Sequence, residues 1–440
     1  MRFFADEHEI TSWQCSLAGA ADNPTERSAL LLRLAWHLRQ RDTQQAIELV
    51  ELARTALEEN AIPPHQRAAG LARLDLVMAE AAWLFADLEA AQAYIDSASR
   101  SFAALGDGIG QADAHWLHAW VAADRGDHES RDAALRRAAA SASHVGDALR
   151  SSLALAGLAR SSVFSDLAAA QQAWGDRFGG GDVDCEDGLA TWIHDYRYLV
   201  ASKRQDIGTA VAHATHMYES ALASGQKRRA ITAASNIGFD LTRINDLPSA
   251  LDWMQRGLEL ARAAGWPAMV GSCLTEMAET LRKMRRSEQA HALLQEALEA
   301  MAALPDSRWV ALALNYLGDV ELDCGRPQAA LASFERLGQR ADALAQADLQ
   351  TIASRGCAQA LAHLGRIDQA LAAAQQALSL ARRQDDAYNA IAALRVLADI
   401  HAAHRLPGAD AGDSPALAFL QEALDTGRNI DGYAAPADLL

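Results

Sequence analysis

Alanine recurs at Ala210, Ala250, Ala290, Ala330 and Ala370, forty residues apart each time. Four residues after each stands Ala214, Met254, Leu294, Phe334 or Ala374, and twelve before stands Tyr198, Gly238, Ala278, Gly318 or Ala358. Small residues held in register over a fixed period of this length mark stacked helical hairpins. The small residue sits where the two helices of a hairpin touch most closely, and the apolar one fills the seam beside it. Working outward, the same position falls at Ala170, Arg131, Ala91 and Ala46 on one side and at Ala416 on the other, which gives ten repeats. Arg131 breaks the alanine rule, so looser packing or a reach to solvent is expected there. Longer steps place extra loops at Ile62–His65 and at Arg405–Asp413.

The turn chemistry follows the same spacing. Arg125-Gly126-Asp127, Asn245-Asp246-Leu247-Pro248, Cys324-Gly325-Arg326-Pro327 and Leu364–Asp368 each join a helix stop to a helix start. Gly106-Asp107, Gly146-Asp147, Gly225 and Gly265-Trp266-Pro267 separate hairpins in the same way. Strand signals are absent. The fold class expected is therefore all-α, a solenoid of about ten helix pairs spanning residues 27–430. Residues 1–26 lie outside the period, and Ile10, Trp13 and Leu17 at helical spacing suggest a capping helix there. Trp174–Gly188, with its five glycines and five carboxylates, is expected to be an inter-repeat loop.

The repeat Ile237-Gly238-x-x-Leu241, Asn245-x-Leu247-x-x-Ala250-x-x-x-Met254-x-x-Gly257-Leu258 resembles a tetratricopeptide repeat. Leu317-Gly318, Gly325, Ala330 and Phe334, and then Ala358, Leu361, Gly365, Ala370 and Ala377-Leu378, repeat the pattern. The period is longer than the usual repeat and is similar to the variant found in bacterial regulators and kinesin light chains. The resemblance implies a right-handed superhelix whose first helices line a concave groove that binds peptides or protein segments. It also resembles the N-terminal sensory regions of bacterial signalling proteins, including some diguanylate cyclases. With residues 431–440 opening a further helix, the chain is expected to be the N-terminal part of a longer protein with a separate output domain. A small-molecule-sensing domain and a free-standing interaction scaffold are the alternatives. The chain closes without a charged terminal cap, so its C-terminal end is also a candidate homodimer surface.

Other function classes find little support. The formal charge of −17 removes any whole-chain basic footprint for nucleic acid or an anionic membrane. No apolar run reaches a membrane-spanning length. Met1–Glu7 turns acidic without an apolar signal region, so a cytoplasmic location is expected. The five cysteines (Cys15, Cys185, Cys273, Cys324, Cys357) lack zinc-like spacing and read as reduced, mostly buried thiols. His115/His118, His213/His216 and His401/His404 are paired at helical spacing but lack further ligands. Asp182-x-Asp184-x-Glu186 departs from a calcium loop, with Ile193 at the bidentate place. No cofactor, metal or catalytic residue is therefore assigned.

The candidate site is the inward face of the first helices. Trp192, Tyr196, Asn236, Phe239, Arg243, Arg282, Asn315 and Arg355 form the expected peptide-binding groove. Aromatics would supply area, and asparagine and arginine would grip backbone or carboxylate. Asp113, Trp116, Trp120, Asp124, Asp195, Glu276, Glu279, Asp319, Asp323 and Gln359 fall on the same face. Trp116, Trp120 and Trp192 fit either role, ligand contact or packing between hairpins.

Overall fold

The computed structural model describes residues 1–20, 23–59, 62–181, 183–304, 307–404 and 415–428. The insert at 405–413 and the helix expected at 431–440 lie outside the described residues. Among them every regular element is helical. Helix α1 (Glu7–Gly19) precedes the repeats. Ten pairs follow: α2 (Pro24–Leu38) with α3 (Thr43–Glu59), α4 (Pro64–Leu84) with α5 (Leu88–Leu105), and α6 (Gly108–Asp124) with α7 (His128–His144). The fourth to sixth are α8 (Ala148–Ser165) with α9 (Leu167–Trp174), α10 (Asp187–Lys203) with α11 (Ile207–Ser224), and α12 (Lys227–Arg243) with α13 (Leu247–Ala264). The last four are α14 (Pro267–Lys283) with α15 (Ser287–Ala300), α16 (Arg308–Asp323) with α17 (Pro327–Ala343), α18 (Ala347–His363) with α19 (Ile367–Arg383), and α20 (Ala387–His404) with α21 (Pro415–Arg428). Within each unit consecutive helices pack on one another, as α6 does on α7 and α18 on α19, so the fold is an α-solenoid. The chain divides into two compact units, Met1–Pro267 and Ala268–Leu440.

The alanine register explains this packing. Ala46, Ala91, Ala210, Ala250, Ala290, Ala330 and Ala370 are all fully buried. The small position twelve residues earlier makes room for the seam residue of the second helix. A Cβ added at Gly238 would stand 2.5 Å from Met254, and one at Gly318 would stand 2.4 Å from Phe334. Arg131 corrects the expectation of a loose repeat. It is buried, with Nε donating to Asp132 at 2.8 Å and Nη1 3.1 Å from His128. Its aliphatic stem fills the seam while its head stays paired.

Aspartates time the helices. Asp87, Asp107, Asp127 and Asp147 each accept the backbone N–H three residues on, satisfying a donor that the helix start would leave open. Gly106, Gly126 and Gly146, just ahead of three of them, take the left-handed conformation that ends the preceding helix. The irregular segment after α9 begins with a π-helical turn, Gly175–Gly179, which sequence spacing did not signal. Its carbonyls are collected by one side chain: Arg197 donates to Phe178 at 2.7 Å, Gly180 at 2.7 Å and Gly181 at 3.0 Å. All five cysteines are free; Cys15 and Cys185 are exposed rather than buried, because both lie outside the repeat seams.

Candidate functional site

The first helices α2, α4, α6, α8, α10 and α12 carry the inner face of the first unit, where several charged groups are paired about one repeat apart. Trp120 Nε1, Asp195 Oδ1 and Arg229 Nε are shielded there without a hydrogen-bond partner among the described residues. Arg39 donates to Glu80 at 2.6 Å across α2 and α4. Asp113 of α6 takes Arg73 of α4 on one side and Arg150 of α8, at 2.7 Å, on the other. Asp195 of α10 takes Arg160 of α8, at 2.7 Å, and Arg229 of α12. Burial alone would raise the Asp113 carboxyl, but the two guanidiniums outweigh it and hold the group below its ordinary range. Desolvation lowers Arg229 to about 10, with Asp195 opposing the fall.

Tryptophans fill the space between these pairs. Trp120 and Trp192 stack with centroids 4.6 Å apart, and Trp116 meets Trp192 edge-on at 4.8 Å. The first and third pairs also meet the fifth and sixth, and Lys227 of α12 donates to the Arg41 carbonyl at 2.5 Å. Arg41 donates to the Ala223 carbonyl at 2.9 Å, Arg228 pairs with Asp124 at 2.8 Å, and buried Trp266 donates to Thr43 at 3.2 Å. Gly225, left-handed, leaves room for Arg41, whose Nε would stand 2.3 Å from an added Cβ. The first unit therefore closes on itself.

The groove residues expected on this unit divide in two. Trp192 and Tyr196 are buried and engaged by their own chain. Trp192 donates to Gln226 at 2.7 Å beneath the Arg229 guanidinium, and Tyr196 donates to the Ala170 carbonyl at 3.5 Å. On α12, Asn236 is half-buried, and Phe239 is 56% exposed with the Arg243 guanidinium 5.9 Å from its ring centroid. Arg243 itself pairs with Asp240 at 2.7 Å and also donates to Gln205.

In the second unit, α14, α16 and α18 carry Arg282, Asn315 and Arg355. Arg282 bridges two helices, bonding Glu279 at 2.7 Å and Asp323 at 3.1 Å. The Glu279 hydrogen bond is the largest influence holding its guanidinium above the ordinary value. Burial pushes Asp319 up to about 6, against the pull of Arg355 and Arg282, and Glu279 and Asp323 add to the rise. Burial likewise raises the Tyr316 phenol. Beside these groups, Asn315 Oδ1, Arg355 Nε and Gln359 Oε1 are shielded from solvent without a hydrogen-bond partner among the described residues. Buried polar atoms are rarely left so. This face offers an acceptor, a cationic donor and an amide oxygen on successive first helices.

Sequence reasoning missed Phe3, Arg39, Arg73, Glu80, Arg150, Arg160 and Arg229. A signal was present in the ion pairs: Arg39–Glu80, Arg73–Asp113 and Asp113–Arg150 are 41, 40 and 37 residues apart, and Arg160–Asp195 and Asp195–Arg229 are 35 and 34 apart. Opposite charges one repeat apart meet on adjacent first helices.

Comparison with known proteins supports the repeat. Residues 272–337, within the seventh and eighth pairs, match the tetratricopeptide repeat family. A crystal structure of a Rap protein complexed with competence and sporulation factor is similar at a TM-score of 0.56 and 12% identity, covering 92% of this chain and 98% of that one. At this identity the likeness establishes the α-solenoid fold alone. Aspartyl phosphate phosphatase F from Bacillus subtilis is similar at a TM-score of 0.45 and 10% identity, covering 99% and 98% of the two chains. A Rap conjugation gene regulator in complex with a Phr peptide gives 0.47 and 10%, covering 96% and 94%. The comparison with curated proteins finds no match. No described helix is long and apolar enough to cross a membrane.

Proposed function

We propose that the chain is a non-catalytic, peptide- or protein-binding scaffold, and that the inner face of its second unit holds the partner through Arg282, Asn315 and Arg355. The observation that carries this is the set of shielded, unpartnered atoms on Asn315, Arg355 and Gln359. An extended backbone supplies what they lack, an N–H for each amide oxygen and a carbonyl or carboxylate for the guanidinium. Asp319, near half-protonated at about pH 6, can accept or donate beside them. The solved Rap structure of similar fold is complexed with a competence and sporulation factor, which favours a regulatory ligand of this general kind.

On this reading partner binding serves a regulatory system, either in a free-standing scaffold or through an output domain elsewhere in a longer chain. A diguanylate cyclase is one such output, by resemblance alone. Phe239 and Arg243 on α12 are a second contact spot of the same chemistry. The test is capture of binding partners by the wild-type chain, by Arg355→Glu and by Asn315→Ala, each checked for unchanged helix content. The reading expects a partner held by the wild type and weakened at least about tenfold in both variants. Undiminished capture by both variants would overturn it.

A further inference from the structure

The first six residues, outside the repeat period and without regular structure, bend at Phe3 and lie against the inner face of the first unit until Asp6 caps α1. Their backbone is gripped by side chains from distant helices. Arg150 donates to the Met1 carbonyl at 3.0 Å, Trp36 Nε1 to the Arg2 carbonyl at 3.2 Å, and Arg41 to the Ala5 carbonyl at 2.8 Å. Phe3 is 4% exposed. Its ring meets Trp36 and Trp116 edge-on at 5.9 and 6.1 Å. The guanidiniums of Arg39 and Arg150 approach it at 5.4 and 5.1 Å. Phe4 points elsewhere, onto Gly188 at the start of α10, where an added Cβ would lie 2.1 Å from its ring.

Carbonyls held by fixed donors, with one side chain sunk in a socket, is the way receptors hold peptides. The socket is specific in kind. Edge-on indoles and two guanidiniums favour an aromatic ring over an aliphatic side chain of the same size. Arg150 bonds both Asp113 and Asp147 at 2.7 Å and still has an Nη2 N–H for the Met1 carbonyl. A cleft of about 250 Å³ lined by Arg2, Phe4, Glu186 and Ser224 opens beside the segment, so solvent reaches its flank.

We propose that the Phe3 socket is a peptide-binding site in its own right, selective for an aromatic residue in a segment without regular structure, and that Met1–Ala5 is its ligand in cis. An outside peptide of the same pattern, two aromatics followed by a small and an acidic residue, gains the socket only by displacing that segment. This site is separate from the second-unit face and does not depend on it.

The test uses the full chain and a fluorescent nonapeptide with the sequence of residues 1–9, followed by anisotropy. Phe3→Ala empties the socket and should bind the peptide at least about tenfold more tightly than the wild type, whose own segment competes. Replacing the first phenylalanine of the peptide with leucine should weaken binding by about tenfold, and Arg355→Glu should leave it unchanged. A folded Phe3→Ala chain that ignores the peptide, or binds it no better than the wild type, overturns the proposal and makes the segment a permanent plug. Should Phe3→Ala fail to fold, the wild type decides: saturating peptide must speed amide exchange at residues 2–5, and unchanged exchange there overturns the proposal.

Discussion

The two units share one seam and differ on their inner faces. In the first, Asp113 takes two arginines, Asp195 takes two more, and Phe3 fills the space beside Arg39 and Arg150. In the second, Arg282 is paired, but Asn315, Arg355 and Gln359 keep shielded atoms without partners. The difference teaches that the same hairpin can be used in two ways. Opposite charges one repeat apart pair on adjacent first helices in both units, buried in the first and partly exposed in the second at Arg282–Asp323 and Arg308–Asp348. Where no such pair forms, the polar face is left for something else to complete.

The comparison breaks most readily at Asp113. Asp113→Ala leaves the buried Arg73 guanidinium without a carboxylate and Arg150 with Asp147 alone, and should cost about 3–5 kcal/mol, read as a large fall in the denaturant midpoint. The same change at Asp323, which is 41% exposed in its side chain and holds only Arg282, should cost about 0–1 kcal/mol. Equal losses would mean that the two faces do not differ.

The shared seam is sharpened by a matched pair. Ala91 and Ala290 are both fully buried at equivalent positions, so Ala91→Leu and Ala290→Leu should each cost about 1–3 kcal/mol by overpacking. Urea unfolding of both variants checks this. A loss confined to one unit would show that the register differs between them.

Acidification should move the units in opposite directions. Burial, helped by Arg39, lowers His37 to about 3, and burial lowers His115 and His194 to about 4. Below the ordinary histidine value near 6.5 the unfolded chain takes up protons that the folded first unit refuses. Its stability is lost as pH falls, by about 2 kcal/mol at pH 5 for His37 alone. Asp319 is raised to about 6, so between its ordinary value of 3.8 and about 6 the folded second unit holds the extra proton. That stability is present in acid and lost as pH rises through 6, to the extent of about 1–2 kcal/mol after allowance for partial exposure. Amide exchange at pH 5 and pH 7 reads each unit separately, and Asp319→Asn should abolish the second trend.

Much of the fold was legible because the seam is local. Ala250, Gly238 and Met254 lie within seventeen residues of one another, and close packing there admits only small residues against a larger one. The inner faces were less legible. Trp192 and Tyr196 fall at inward positions, as the period predicts, but periodicity does not say whether the partner of an inward aromatic is a ligand or the chain itself. Here Gln226 and the Ala170 carbonyl take them. The ion pairs escaped notice because their separations drift from 34 to 41 residues and so blur against the alanine period. Phe3 escaped because it lies outside the repeats, and nothing in its neighbours' spacing points to Trp36 or Arg150.

The central claim is that the second unit's inner face, around Asn315, Arg355 and Gln359, awaits a partner. The most direct measurement is a hydrogen-exchange footprint of the full chain bound to a peptide selected from a displayed library of peptides without aromatic residues, which the Phe3 socket does not favour. The account predicts slowed exchange in α14, α16 and α18, centred on Asn315 and Arg355, with α4, α6 and α8 unchanged. Protection confined to the first unit, or no selectable peptide that Arg355→Glu abolishes, would contradict it.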